Sequence, residues 1–496
     1  MLTSMLLAGV LAGVPCESLK SQSGRDITIT SAELIAAGPY RPGGGDGGVN
    51  PAARGQAVTL PQHCRVTAVL TPSTDSHIEM ELWLPTTTWN GKFAAIGNGG
   101  WGGSITTPFM IPALIGGYAT ASTDTGHKGG GLSADFALGH PEKVTDFAYR
   151  ATHEMTVKAK ALMNVFYGSP ARFSYFVGCS AGGFQGMMEA QRFPEDYDGI
   201  VSGAPTYNLM QLSASQLVRQ VEAIREPAKR LTAEKITLLA KSVVAACDAD
   251  DGVADGIISR PDRCSFNPST IACKAGDRPD CLTPPQVETV NRAYAPVKTK
   301  NGATLYPGSS RGFERGMRMP EAPMELHYTP FRYIAHQDPK WDPISFDLDA
   351  DLALALKTNA KDIAATEPDL SRFKARGGKL LFYHGWADPG PAPVSTIAYV
   401  EAVQENLGGN QDDWMRLFLM PGVGHCGGGV GPDQADFIGA LDRWRDKNEA
   451  PSRIEASRVR NGAVEMTRPL CPHPQVAVYN GKGNTNDAGN FSCKNP

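Results

Sequence analysis

One octet constrains this chain more than any other stretch: Phe176-Val177-Gly178-Cys179-Ser180-Ala181-Gly182-Gly183. The run Phe173 to Val177 is aromatic and β-branched, as a buried strand should be. Phe184 to Arg192 then reads as a helix. A strand that turns into a helix across small residues leaves one residue at the apex of a crowded, strained turn. Here that residue is Ser180, whose hydroxyl would be held up at the edge of a sheet. The spacing G-x-S-x-G is weak evidence alone, and it also occurs in glycine-rich turns of no chemical use. Its setting between strand and helix is what makes Ser180 a nucleophile candidate.

The rest of the chain bounds what such a serine can serve. At 496 residues it is long enough for a large core carrying an insertion. A net charge of −4, with no basic stripe, leaves nucleic acid without an electrostatic footprint and offers no polybasic membrane patch. Nothing in the pattern fixes an oligomeric state. The ten cysteines are scattered and include no C-x-x-C pair, so a zinc ribbon is disfavoured and five disulfides in an oxidising compartment are expected. Met1 to Val14 is apolar and too short to span a bilayer. It reads as the hydrophobic part of a secretion signal without its basic start, so residues 1–15 are set apart from the fold and the protein is expected to be secreted or periplasmic.

Taken in order, Ile27–Ile29, Val66–Leu70 and Ile78–Leu84 alternate as half-exposed antiparallel strands do. Cys16 and Cys64 could staple the N-terminal arm to them. Arg41 to Asn50 is a glycine-rich loop. Lys92–Gly97 is a buried strand, followed by Asn98-Gly99-Gly100-Trp101-Gly102-Gly103. Tyr118–Ser122 is a further strand, Asp146–Tyr167 a long helix with Phe147, Ala151, Met155, Ala159 and Leu162 on one face, and Tyr197–Gly203 the strand after the serine's helix. From about Thr206 to Arg372 the αβ rhythm breaks into helices (Leu212–Glu226, Thr232–Ala246), a cysteine-rich loop and proline-rich irregular stretches. It resumes with a strand at Lys379–Tyr383, a helix at Pro393–Leu407, a strand at Met415–Met420 and a helix at Pro432–Lys447. The tail, Pro469 to Pro496, would be held by Cys471 and Cys493. This is the pattern of an α/β-hydrolase core, residues 16–205 and 373–496, with a large inserted lid, residues 206–372.

In that fold the carboxylate and histidine that serve a serine follow it in the chain. Five histidines follow Ser180: His327, His336, His384, His425 and His473. His425 stands among glycines just after a strand, as a base on a loop at the sheet's carboxyl edge would. His384 ends a strand only four residues before Asp388 and reads as a packed or supporting residue. Asp388, in Gly385-Trp386-Ala387-Asp388, is the carboxylate that follows the preceding strand; Glu401 is on a helix, and Asp412 and Asp413 precede a strand. Ser180, His425 and Asp388 are therefore the catalytic candidates. Backbone N–H groups of Ala181 and of Gly99 or Gly100 are the oxyanion candidates. Cys179 precedes the serine and Cys426 follows the histidine. If Ser180 and His425 touch, these cysteines come within bridging range, and a disulfide would clamp nucleophile to base.

Cys247-Asp248-Ala249-Asp250-Asp251-Gly252-Val253-Ala254-Asp255-Gly256-Ile257 crowds carboxylates into one loop that Cys247 and Cys264 would close. It is not an EF-hand, since counting from Asp248 puts Val253 and Ser259 where Gly and Glu are required. By composition it is still a hard-cation site, with side-chain oxygens from Asp248, Asp251 and Asp255 and backbone carbonyls between them.

The Gly-Cys-Ser-x-Gly-Gly turn, the Gly-Trp-Ala-Asp loop and the Gly-His-Cys-Gly-Gly-Gly loop resemble the tannase and feruloyl esterase family, from about Cys16 to Cys493. That family includes mono(hydroxyethyl) terephthalate hydrolases. The resemblance implies a secreted serine esterase acting on aromatic carboxylic esters. It implies structural calcium in the lid on Asp248, Asp251, Asp255 and the carbonyls of Val253 and Ile257. It also implies five disulfides: Cys16 with Cys64, Cys179 with Cys426, Cys247 with Cys264, Cys273 with Cys281, and Cys471 with Cys493. Ferulate, gallate and terephthalate esters are left undecided among candidate substrates. Two rival readings are a peptidase or amidase with the same triad, and a binding module on an inactive hydrolase fold.

Overall fold

A computed structural model of the chain describes residues 13–40 and 58–495. The apolar N-terminal stretch up to residue 12 and the glycine-rich loop at 41–50 lie outside the described residues. Nine strands form the central sheet: β1 (Ile27–Ile35), β2 (His63–Leu70), β3 (Ile78–Pro85), β4 (Lys92–Ile96), β5 (Ala119–Thr123), β6 (Phe173–Cys179), β7 (Gly199–Gly203), β8 (Lys379–Gly385) and β9 (Met415–Met420). Their order across the sheet is β1-β2-β3-β5-β4-β6-β7-β8-β9. From β1 to β5 neighbours are antiparallel, and from β5 onward all are parallel.

The two halves follow from how each strand is covered. β1 alternates buried and exposed residues, as a strand with one solvated face does. β4, β5 and β7 are buried throughout, because helices pack on both faces there. The architecture is that of an α/β-hydrolase, and all the parallel strands run their carboxyl ends to one edge.

Helix α1 (Thr107–Ile115) escapes the sequence reading. It is apolar on every side and carries Pro112 inside it, so neither periodicity nor propensity marks it. The expected helix from Asp146 is α2 (Ala151–Tyr167) preceded by one wide turn at Asp146–Arg150, and its five named apolar residues are all buried. That wide turn has Asp146 inside, accepting from Arg150 Nε at 2.5 Å and Ser76 Oγ at 3.0 Å. The helix after the serine, α3 (Ala181–Arg192), starts three residues earlier than Phe184, and its first turn takes in Gly182 and Gly183.

Between Gly203 and Lys379 no strand joins the central sheet among the described residues. The insertion holds α4 (Leu209–Arg225), α5 (Ala233–Cys247) and α6 (Pro284–Tyr294), with shorter helices at Glu325–Pro330 and Leu348–Ala355. α6 lies in a stretch read as irregular for its prolines. Pro284 sits at the helix start, where its missing N–H costs nothing, and Thr283 with Gln286 forms a capping box. Part of the insertion has its own apolar centre, including Leu239, Val243, Phe266, Leu282 and Val290 around the Cys247–Cys264 bridge.

Downstream lie α7 (Pro393–Asn406) and α8 (Phe437–Lys447). α8 begins five residues later than expected. Gln434 and Ala435 instead pair with Ser457 and Ala456 of a hairpin, Ile454–Arg460 with Ala463–Leu470, and Asp436 caps the helix by accepting from Gly439 N–H at 2.8 Å.

All ten cysteines are paired, and each pairing is the one that the family resemblance implies. The bridges are Cys16 to Cys64, Cys179 to Cys426, Cys247 to Cys264, Cys273 to Cys281, and Cys471 to Cys493. Cys273 and Cys281 close a short loop just before α6, where the main chain already narrows: Cys273 N–H donates to Leu282 O at 2.8 Å, and Leu282 N–H to Ile271 O at 2.8 Å. Their sequence separation of 8 makes this the most local of the five bridges.

Candidate active site

Ser180 is the single residue between β6 and α3. Its φ of 62° and ψ of −121° lie in a region costly for a residue with a side chain. Its surroundings impose that conformation. Ser180 N–H donates to Gly203 O at 2.9 Å, tying the turn to β7. A Cβ on Gly182 would stand 2.8 Å from Asn98 O, so only glycine lets the start of α3 approach the loop after β4. Gln185, one turn along α3, clamps that loop from within. Its Oε1 accepts from Asn98 N–H at 2.9 Å and its Nε2 donates to Asn98 Oδ1 at 3.2 Å, both residues being buried.

Asp388 follows β8 and His425 follows β9, so neighbouring strands deliver both loops to the carboxyl edge. The loops meet backbone to backbone: Ala387 N–H donates to Val423 O at 2.9 Å, and a Cβ on Gly385 would lie 2.3 Å from Gly424 O. His425 Nδ1–H donates to Asp388 Oδ2 at 2.7 Å, and Ser180 Oγ–H donates to His425 Nε2 at 2.8 Å. The Cys179–Cys426 bridge, with its Cα atoms 5.9 Å apart, joins the residues next to Ser180 and His425.

The electrostatics suit proton transfer. Burial alone would raise the Asp388 carboxyl. The charges and hydrogen bonds of His425 and His384 outweigh it and bring Asp388 down to about 2. Burial disfavours a charged His425, but Asp388 outweighs that and holds the imidazole above its ordinary range. The pair is thus a fixed carboxylate beside a base that readily takes a proton.

His384 is closer to the chemistry than its sequence position suggests. It is fully buried, and Nε2 lies 3.2 Å from Asp388 Oδ2 and 3.1 Å from Pro391 O. Both neighbours are acceptors, so Nε2 carries a proton, and Nδ1 lies 2.8 Å from Thr396 Oγ1. Gly390 N–H at 2.8 Å completes the set on Asp388 Oδ1. The i, i+4 spacing of His384 and Asp388 is visible in the sequence, but a strand that ends in a sharp loop does not announce that the two side chains fold together.

These groups open on a cavity of about 310 Å³. Gly100, Ser180, Ala181 and His425 form its floor. Leu212, Phe313, Met317, Met319, Met324 and Leu326 of the insertion supply an apolar wall, and polar and charged side chains, among them Gln216, Gln220, Arg219 and Glu222, also line the cavity. Ala181 N–H, at the first position of α3, has no partner within the helix. Gly100 borders the cavity; Gly99 lies one residue back, with its carbonyl accepting from Gly102 N–H at 3.0 Å. The insertion is fastened to this floor: Trp101 Nε1–H donates to Leu326 O at 3.0 Å, and Ala392 N–H donates to Tyr306 Oη at 3.2 Å.

The acidic loop lies apart from this cavity. Asp248 Oδ1 accepts from the N–H groups of Asp255, Gly256 and Ile257 at 3.0–3.3 Å, and Asp251 Oδ1 from Val253 N–H at 2.9 Å. Burial raises the Asp255 carboxyl, Arg468 counters it, and the charges of Asp251 and Asp248 push it up again. Arg468 Nη2 donates to Asp255 Oδ2, so a guanidinium already meets one of the three carboxylates, while the loop remains rich in the oxygen donors a hard cation uses.

A family model described as tannase and feruloyl esterase matches residues 64–325 and 317–494. A probable feruloyl esterase B-2 of Aspergillus fumigatus is 33% identical, over 98% of both chains. An uncharacterized esterase of Xanthomonas campestris pv. campestris is also 33% identical, over 98% of this chain and 92% of its own. The crystal structure of feruloyl esterase B from Aspergillus oryzae superimposes with a TM-score of 0.87 at 29% identity, covering 97% of this chain and 99% of that one. Fold and relatives together define a carboxylic ester hydrolase. The chain belongs to the tannase and feruloyl esterase family.

Two outcomes follow from the geometry. Protonated His425 cannot accept from Ser180, and its raised pKa means that the proton stays on to higher pH than in a free imidazole. Activity should therefore fall as pH drops, with the midpoint of the acid limb of kcat/KM above 6.5; a midpoint below that value would contradict the described Asp388–His425 pairing. His384→Leu removes one donor from Asp388 and should lower kcat roughly 10- to 100-fold, the worth of a hydrogen bond to a charged group. His384→Gln can restore an N–H and should recover part of the loss, whereas equal kcat for the two variants would show that the donor is irrelevant.

Proposed function

We propose that the protein is a secreted serine esterase that hydrolyses esters of aromatic acids, phenolic or terephthalic, through an acyl-enzyme. The observation that carries this reading is the continuous hydrogen-bonded path Asp388–His425–Ser180, opening into an apolar cavity. That cavity has the volume and lining suited to one aromatic acyl group. The relatives' names as feruloyl esterases support the phenolic branch. Five disulfides support an oxidising compartment, and no helix among the described residues is long and apolar enough to cross a membrane.

In the reaction His425 Nε2 takes the Ser180 proton as Oγ attacks the ester carbonyl. Asp388 holds the imidazole by Nδ1 and stabilises its positive charge. The developing oxyanion is received by Ala181 N–H and by a second amide from the loop after β4, Gly100 in preference to Gly99 because it borders the cavity. The alcohol departs with the proton from His425. Water, deprotonated by the same histidine, then releases the acid and restores Ser180. The insertion acts as a lid that excludes bulk water and selects the acyl group.

Asp248, Asp251 and Asp255, with the carbonyls of Val253 and Ile257, would hold calcium, which supplies a structural crosslink within the lid and no catalytic chemistry. Asp251→Asn should lower Tm in calcium-containing buffer and blunt the gain in Tm that calcium gives the parent. An identical calcium response in both proteins would exclude the site.

Ser180→Ala should reduce hydrolysis of methyl ferulate, methyl gallate and mono(hydroxyethyl) terephthalate by at least about 10³-fold while the protein stays folded. The parent, but not this variant, should be labelled covalently by a fluorophosphonate. Full residual turnover in Ser180→Ala would refute the mechanism, and turnover of anilides but not of aryl esters would refute the ester class.

A further inference from the structure

A second cluster of chemically competent side chains lies at the far end of the elbow helix, away from the ester site. Glu189 is nine residues beyond Ser180 on α3, roughly 13 Å along the helix axis. His153 projects from the first turns of α2, and Asp196 from the loop leading to β7. One ligating atom from each of the three residues falls within a sphere where all lie within 4.8 Å of one another. His153 Nδ1 is already 2.6 Å from Asp196 Oδ2, and its ring stacks on Phe193 at 3.8 Å, which fixes its plane.

Glu189 is the telling member. It is 1% exposed, and neither Oε1 nor Oε2 has a hydrogen-bonding partner among the described residues. Burial, and then the like charge of Asp196, push a carboxyl so placed well above its ordinary range. Lys160 opposes this only in part, since its Nζ donates to the backbone carbonyl of Asp196 and not to Glu189. A positive charge, either an ion or a proton, must stand between Glu189 and Asp196.

We propose that His153, Glu189 and Asp196 form a site for a divalent cation of borderline hardness, with zinc the best match. One imidazole nitrogen and two carboxylate oxygens are a mixed donor set of atoms that zinc accepts, whereas calcium or magnesium would prefer oxygen alone. His153, a quarter exposed, forms the solvent side, through which the ion enters and a water supplies the fourth ligand. On binding, the His153 nitrogen gives up its proton to solvent and its bond to Asp196 Oδ2 is replaced by two metal bonds. The ion ties α2, the end of α3 and the approach to β7 together. It is thus a structural clasp behind the elbow that touches none of the reacting atoms.

The test uses the full-length, tag-free protein with calcium held saturating, so that the acidic loop of the insertion does not compete. Calorimetric titration with zinc, and metal analysis after dialysis, should find one zinc per chain, with Tm raised by about 5 °C. Glu189→Gln and His153→Gln should each weaken zinc binding at least about 10-fold and abolish the Tm rise, while basal esterase activity without zinc stays within two-fold of the parent. Cobalt in place of zinc should give visible absorption that Glu189→Gln removes. Absence of zinc binding by the parent protein would overturn the proposal, as would equal binding by Glu189→Gln. The cluster would then be a pair of carboxyls joined by a shared proton. The parent measurement decides the matter even if a variant fails to fold, and neither result bears on the role of Ser180.

Discussion

The structure depends on crowding at one point, where β6 turns into α3. Ser180 has a positive φ because β7 holds its N–H from below and the loop after β4 presses on the first turn of the helix. The contact between Gly182 and Asn98 is so close that a single methyl group would break it. Gln185 then pairs with both the backbone and the side chain of Asn98 and fixes the height of that loop over the serine. The strain in the turn is therefore sustained by three separate segments. A serine hydroxyl lifted clear of the sheet is the consequence.

A raised hydroxyl is useful only if a base reaches it, and here the covalent and hydrogen-bonded structures converge. The loops after β8 and β9 interlock through their main chains and bring Asp388 and His425 together. The Cys179–Cys426 bridge then fastens the His425 loop to the strand that leads into Ser180. Asp388 is buried and takes N–H groups from His425, His384 and Gly390, so its charge is met on every side the chain offers. A carboxylate held so firmly cannot swing away from the imidazole, and the histidine's direction toward Ser180 is set by that anchoring.

The insertion contributes on a different level. It supplies no strand to the sheet, has part of an apolar core and two disulfides of its own, Cys247–Cys264 and Cys273–Cys281, and leans on the active edge through Trp101, Tyr306 and the Asp388 loop. Its methionines and leucines make the cavity wall. The elbow and the two loops bring Ser180, His425 and Asp388 together, whereas this wall shapes the cavity they open on.

Ser180, Asp388 and His425 were legible in the sequence because each sits in a short motif whose glycines report backbone crowding directly. The alternation of β1 to β3 and the apolar runs of the later strands were legible for the same local reason. Other features had no local mark. α1 is apolar on all faces and interrupted by Pro112, so periodicity is silent. Gln434 and Ala435 leave the expected helix because a distant hairpin pairs with them. His384, Gln185 and Glu189 gain their meaning only from partners brought up by the fold: Asp388 across a loop, Asn98 from the loop after β4, and His153 and Asp196 from another helix and loop. The sequence by itself thus determined the strained turn at Ser180, the order in which Ser180, Asp388 and His425 follow one another, and the paired cysteines, all of which are written in neighbouring residues. Tertiary structure decided the cavity, the second histidine on Asp388 and the buried His153–Glu189–Asp196 cluster. Desolvation and electrostatic contact act through space, and only packing puts those groups together.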